Sequence, residues 1–180
     1  MIIVEDKKKQ INEVERKNFR INIYALEKKI MEQADAMIGD SDITPLKHIF
    51  TDGIYTRQIF IPKGKVLTGK IHLHEHPNML MAGKVLVATE DGGREILEAP
   101  VLMASPSGTK RMVYAIEDCI WITVHANPTN TTDLKELEEI IIAPSYNSYE
   151  NYMIENKDSF KKKIMIDEKS VFMTNNIQNT

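Results

Sequence analysis

Residues 64–83 read GKVLTGKIHLHEHPNMLMAG, and three of the chain's five histidines fall inside them, at His72, His74 and His76. Side chains alternate along an extended strand, so Lys70, His72, His74 and His76 are expected on one face, with Ile71 and Leu73 on the other. Imidazole is the commonest protein metal ligand, and when protonated it also holds anions. Either chemistry needs a concave wall behind the row. The flanking sequence must supply that wall.

Around this stretch, from about residue 46 to 127, short apolar runs alternate with turn residues: IYTRQIFI, KVLTGKIHLH, NMLMAGKVLVAT, REIL, PVLMAS, KRMVYAI and CIWITVHA. The breakers are Pro62-Lys63-Gly64, Pro77-Asn78, Asp91-Gly92-Gly93, Pro100, Pro106-Ser107-Gly108 and Glu117-Asp118. Short strands with no helix between them predict an antiparallel sandwich or barrel, with Asp91-Gly92-Gly93 the clearest hairpin turn. Upstream, Phe19, Ile23, Leu26, Ile30 and Met37 recur at helical spacing across a charged segment, so residues 1 to about 40 read as helical with Gly39 as the stop. That helix either packs on the outside of the domain or mediates oligomerisation. Lys7, Lys8 and Lys9 read as a solvated end.

Downstream, Asp133 and Glu136 offer an N-cap and its partner, opening a helix with Leu134, Leu137 and Ile141 on one side and Pro144 at its end. Tyr146, Tyr149 and Tyr152 make an aromatic stripe of the kind that packs against a domain. The tail, with Lys161, Lys162 and Lys163, reads as a docked arm with a mobile end. The organisation is then a helical extension over 1–45, a β domain over 46–127, and C-terminal helices and tail over 128–180.

With 180 residues and 42% hydrophobic content, the chain suits one well-packed domain plus elaboration. Its net charge of −3 supplies no basic field of the kind that drives general nucleic-acid binding. No run approaches the length of a membrane span or has the form of a signal peptide, so the expectation is a cytoplasmic protein. The one cysteine, Cys119, is followed by Ile120 and Trp121 and reads as a core thiol. His48, in PLKHIF, has no partner nearby in sequence and reads as a strand-entry or surface group.

Over residues 46–127 the chain resembles the cupin superfamily, whose domains are double-stranded β-helix jelly rolls. The first cupin motif runs Gly, five residues, His-x-His, three or four residues, Glu, six residues, Gly. Anchored on Gly83, it places Gly64 in the leading slot, Lys70 and His72 in the His slots and His76 in the Glu slot. The second motif keeps the Pro106-Ser107-Gly108 turn but carries Pro100 for Gly, Arg111 for His and Ala115 for Asn. Around IHLHEHPNML, SPSGTKR and ITVHA the texture is also similar to short cupin-like proteins of bacteriophages, which implies a phage protein acting in host cytoplasm.

The resemblance implies a pocket inside the jelly roll, and a cupin metal is held by two His and a Glu plus a His of the second motif. Arg111 in that last slot leaves a donor to be found, and His125, at the end of CIWITVHA, is the candidate. His72, His74, His76 and His125 are thus the metal-ligand set; three His plus water suit Zn, Fe, Mn or Ni. Against this, cations at Lys70 and Arg111 would each oppose a metal a few ångströms away by several kcal/mol at an effective dielectric of about 20. They favour an anionic small molecule, bound by Lys70, Lys110 and Arg111, with Tyr114, Tyr55 or Trp121 as a stacking face. Alternatively Lys70 and Arg111 snorkel to solvent, and Trp121 is core.

The chain carries no Gly-x-Ser-x-Gly, P-loop or dinucleotide signature. Three function classes follow. One is a homo-oligomeric binder of an anionic metabolite or nucleotide signal, metal-assisted, as a phage accessory or counter-defence protein would be. Another is a metal-dependent cupin enzyme of oxygenase or isomerase type. The third is a structural or virion-associated oligomer with a vestigial pocket. Fold alone does not choose among them.

Overall fold

The computed structural model describes residues 2–3, 13–34, 36, 40–91 and 93–157. In chain order the elements are β1 (Ile2–Ile3), α1 (Glu13–Met31), β2 (Leu46–Thr51), β3 (Ile54–Ile61), β4 (Val66–Thr68), β5 (Ile71–His72), β6 (His76–Ala82) and β7 (Lys84–Thr89). They continue as β8 (Gly93–Glu98), β9 (Val101–Ser105), β10 (Arg111–Ala115), β11 (Cys119–Ala126), α2 (Leu134–Ile141), β12 (Ile142–Ala143) and α3 (Tyr146–Glu155). Lys7 to Lys9, Met37, Gly39, Gly92 and the Lys161 to Lys163 tail lie outside the described residues.

Two sheets face each other, one ordered β1-β9-β6-β11-β3-β2 and the other β4-β10-β7-β8. Antiparallel pairing is nested about the β7–β8 hairpin: β7 pairs with β8, β6 with β9, β4 with β10 and β3 with β11. Apart from that hairpin, every step between these eight strands crosses from one sheet to the other. This is the jelly-roll topology, in which two Greek keys close over one interior. The fold expectation is met: mainly β, with helices added at both ends, consistent with the cupin double-stranded β-helix.

Alternation in β11 shows how the sequence specifies the interior, since Cys119, Trp121, Thr123 and His125 are buried while the residues between them are less so. Leu80, Val85, Ala115 and Cys119 are fully excluded from solvent and pack with Ile61, Val113 and Trp121 as the main core. The Cys119 thiol donates to the carbonyl oxygens of Glu117 and Lys84, and burial pushes its pKa up, as suits a core thiol. Gly83 makes the tight β6–β7 corner at φ +80°, and a Cβ there would lie 2.1 Å from the Asp118 carbonyl oxygen.

The N-terminal periodicity gives a helix of 19 residues, shorter than the expected 40, while Ile2–Ile3 pairs in parallel with β9. Two β-branched residues beside an open sheet edge gain hydrogen bonds as a strand that a frayed helix end would not supply. Ile23 is buried, and Phe19, Leu26 and Ile30 are half-buried on the same stripe. Polar contacts add to this: Arg20 pairs with Glu90 at 2.7 Å, Arg16 with Asp91 at 2.5 Å, and Glu27 with Lys110 at 2.5 Å.

At α2 the Asp133 carboxylate accepts from the backbone N–H of Lys135 and Glu136, as the capping pattern predicts. Leu137 and Ile141 are buried against Tyr55 in a second apolar cluster, whereas Leu134 is exposed. The helix ends at Ile141, ahead of Pro144, because Ile142–Ala143 extends to pair with β5. Pro144 opens a second compact unit, within which the Ser145 hydroxyl caps α3 by accepting from the Ser148 N–H. Among the described residues no helix is long and apolar enough to cross a membrane.

Candidate functional site

The histidine row does not form one continuous strand. β5 ends at His72, the chain bends at Leu73 and His74, and β6 starts at His76. The Leu73 N–H donates to the Ile141 carbonyl at 2.8 Å, and its side chain turns into the core. That bend keeps His72 and His76 inside and sends His74 to the surface. The turn of the second motif meets the first here, as the Gly108 N–H donates to the His72 carbonyl at 2.8 Å.

His125, the fourth inward position of β11, completes a cluster. Ligand atoms of His72, His76 and His125 lie within 4.8 Å of one another, and all three residues are buried. Their ring centroids are 4.2 to 4.8 Å apart. Burial is the main force holding all three imidazoles neutral: His76 is lowered to about 4, His125 to about 3, and His72 further still. The nearby guanidiniums of Arg57 and Arg111 depress His72 and His76 further.

Hydrogen bonding assigns the nitrogens. A carbonyl can only accept, so the 3.0 Å contact between His76 Nδ1 and the His74 oxygen puts the proton on Nδ1 and leaves the Nε2 lone pair for the cluster. His72 Nδ1 is buried with no partner. An orphaned imidazole nitrogen among three neutral rings fits a transition-metal donor set, because only the deprotonated nitrogen can coordinate. Behind the cluster the Tyr55 ring stacks on His125, with centroids 6.1 Å apart, and its hydroxyl pairs with His48 Nδ1 at 2.8 Å. His48 therefore has a partner, which the sequence concealed because Tyr55 reaches it across the β2–β3 hairpin.

Arg111 opens β10, lies over Trp121 at 5.7 Å, donates to the Ser105 hydroxyl, and lines the cavity. Arg57, which sequence reasoning missed, lines the same cavity from β3. The available signal was a lone cation on the inward face Tyr55, Arg57, Ile59, Ile61. Among the described residues no carboxylate pairs with either guanidinium. Burial lowers Arg111 to about 10, which leaves it charged at neutral pH.

Lys65 also lines the cavity, and the two lysines named from the sequence are engaged elsewhere. Lys110 is buried, but its ammonium pairs with Glu27 of α1, donates to the Gly69 carbonyl and sits over the Tyr24 ring. Lys70 reaches the cavity wall while its exposed ammonium pairs with Glu138 of α2. Tyr114 faces outward at 38% exposure. Trp121 is a core residue that also lines the cavity, its indole N–H donating to Asn78 Oδ1 at 2.8 Å.

No protein-family model matches the sequence, and no curated protein matches it. Among solved structures, KdgF from Halomonas sp. is similar at 17% identity over 49% of this chain and 84% of its own, with a TM-score of 0.42. An RmlC-like cupin family protein from Methanocaldococcus jannaschii is similar at 14% identity over 60% of this chain and 97% of its own, with a TM-score of 0.42. Salicylate 1,2-dioxygenase from Pseudoaminobacter salicylatoxidans is similar at 11% identity over 67% of this chain and 34% of its own, with a TM-score of 0.46. Structural neighbours thus include proteins described as cupin and RmlC-like. The jelly-roll assignment itself rests on the strand order.

Proposed function

We propose that the protein binds a small molecule in its jelly-roll cavity, with one divalent transition metal held by His72, His76 and His125. The observation that carries this reading is the convergence of three buried, neutral imidazoles, one with an orphaned Nδ1. Zn, Fe, Mn or Ni suits such donors, and three protein ligands leave a position open for water or ligand. When bound, the metal supplies Lewis acidity. Arg57 and Arg111 would repel a lone cation, and an anion beside the metal offsets that repulsion, so the ligand is anionic. We place the protein as a homo-oligomeric phage accessory protein that sequesters such a molecule in host cytoplasm. The open position also favours a second reading, a metal-dependent enzyme of oxygenase or isomerase type.

Elemental analysis of protein purified without an affinity tag tests the site. About one transition metal per chain is expected, falling more than tenfold in His72→Ala and His125→Ala and unchanged in His74→Ala. Metal lost equally from His74→Ala, or a folded protein that takes up none, rules the reading out.

A further inference from the structure

Strand register fixes how polarity runs through the cavity. On the β3, β11 and β6 side, paired inward residues fall in rows: Tyr55 beside His125, then Arg57–Thr123–Asn78, then Ile59–Trp121–Leu80. Rows are two residues apart, about 6.6 Å along the strands. The facing sheet repeats the order, with Arg111 first and the paired Val113, Leu67 and Val87 next. The interior is therefore polar at the histidine end and apolar one row away. From that apolar side the cavity, about 760 Å³ in volume, runs out beneath α1, where Ile30, Met31 and Leu67 line it beside the polar Glu27, Gln33 and Lys65.

The polar row is under-satisfied. Arg57 and Arg111 have no carboxylate among the described residues, and the buried Thr123 hydroxyl has no partner. Two guanidiniums and a hydroxyl donor match one oxyanion head, since a planar fork of N–H groups fits carboxylate or phosphate oxygens. Beyond that row the polar lining is already engaged, with Gln33 bonded to the Lys29 carbonyl, Thr44 to Ser41, Thr68 and Lys110 to Glu27, and Lys70 to Glu138. Sugar or base hydroxyls would have to compete for those partners or stay unpaired, which is unfavourable. An aliphatic or aryl body would gain by leaving water there.

We propose that the ligand is an amphipathic oxyanion, its head held between Arg57 and Arg111 next to the histidine cluster and its apolar body lying under α1 against Ile30 and Met31. This rests on the reading of the cavity as a ligand site and narrows it from anions in general to those with an apolar body. It makes α1, an element outside the jelly roll, a specificity-determining wall.

Calorimetric titration of the full chain with acetate, butanoate, hexanoate and octanoate tests this, alongside octyl phosphate and octanol. Affinity should rise roughly threefold to fourfold per added methylene. Octanol should bind at least tenfold more weakly than octanoate, and the octanoate to octyl phosphate ratio identifies the head. In Ile30→Ser/Met31→Ser the chain-length slope should flatten while acetate is unaffected; in Arg57→Gln octanoate should fall to the level of octanol. A flat series in the wild type, or octanol equal to octanoate, overturns the proposal without recourse to any variant. Metal content measured on the same samples separates the two readings: metal present with a flat series removes only this proposal, and a steep series in metal-free protein removes only the metal.

Discussion

His76 shows how much one residue can carry: its Nδ1–H is committed to the His74 carbonyl, so Nε2 faces His72 and His125. The same burial that makes these imidazoles good ligands makes them a liability in acid. His76 has a folded-state pKa of about 4 against an ordinary 6.5, so between those values the unfolded chain binds more protons than the folded one. Stability is therefore full above pH 6.5 and is lost as pH falls toward 4, by about 3 kcal/mol from His76 alone. Melting temperature should drop steeply from pH 7 to pH 4.5, and His76→Gln should flatten that slope. An unchanged slope would mean that His76 is not held neutral. From the sequence, the H-x-H-x-H spacing identified His72 and His76 but not the exit of His74. That exit depends on a bend at Leu73 tied to Ile141, a contact far away in the chain.

At the level of elements, the corners are set by glycine and the helices by a mixture of forces. Gly64 and Gly83 both have φ near +80°, but a Cβ on Gly64 meets open space, while one on Gly83 strikes the Asp118 carbonyl oxygen at 2.1 Å and the Cys119 sulfur at 2.7 Å. Gly64→Ala should thus cost about 1 kcal/mol, the left-handed strain alone. Gly83→Ala should cost at least about 3 kcal/mol, because the β6–β7 corner must move as well. Urea denaturation of the two variants checks this; equal losses would mean that the corner yields. Both glycines were legible as the frame of the first motif. Their unequal cost was not, because it is set by where β11 begins. Similarly, the apolar stripe of α1 was legible, whereas its ion pairs to Glu90, Asp91 and Lys110 join residues 70 or more positions apart.

For the molecule as a whole, the main core and the histidine cluster occupy different rows of the same interior. Ile61, Leu80, Val85 and Cys119 pack without help from the imidazoles, so the jelly roll should stand without metal. Metal binding then adds stability through mass action rather than creating the fold, in contrast to small zinc domains. At a free Zn(II) concentration about 100 times its dissociation constant, the gain is about 2.7 kcal/mol, or roughly 5–10 °C in melting temperature for a chain of this size. Scanning calorimetry of chelator-treated protein with and without Zn(II) should show that shift, and His125→Ala should abolish it. Unfolding on chelation alone would instead make the metal structural.

What the sequence by itself determined is an antiparallel β domain and its turns, because alternation, breakers and glycine corners are local properties of the chain; the jelly roll was implied by the cupin resemblance and is shown by the strand order. It also placed His72, His76, His125 and Arg111 as site candidates. Only the tertiary structure decided which of the expected cations face the cavity without a carboxylate: the ammonium groups of Lys70 and Lys110 are drawn off by Glu138 and Glu27 of two helices, while Arg57 joins Arg111 from a strand read only for its apolar pattern. The physical reason is that a charge is claimed by the nearest partner in space, and cross-strand register and helix docking set that distance. Spacing along the chain does not.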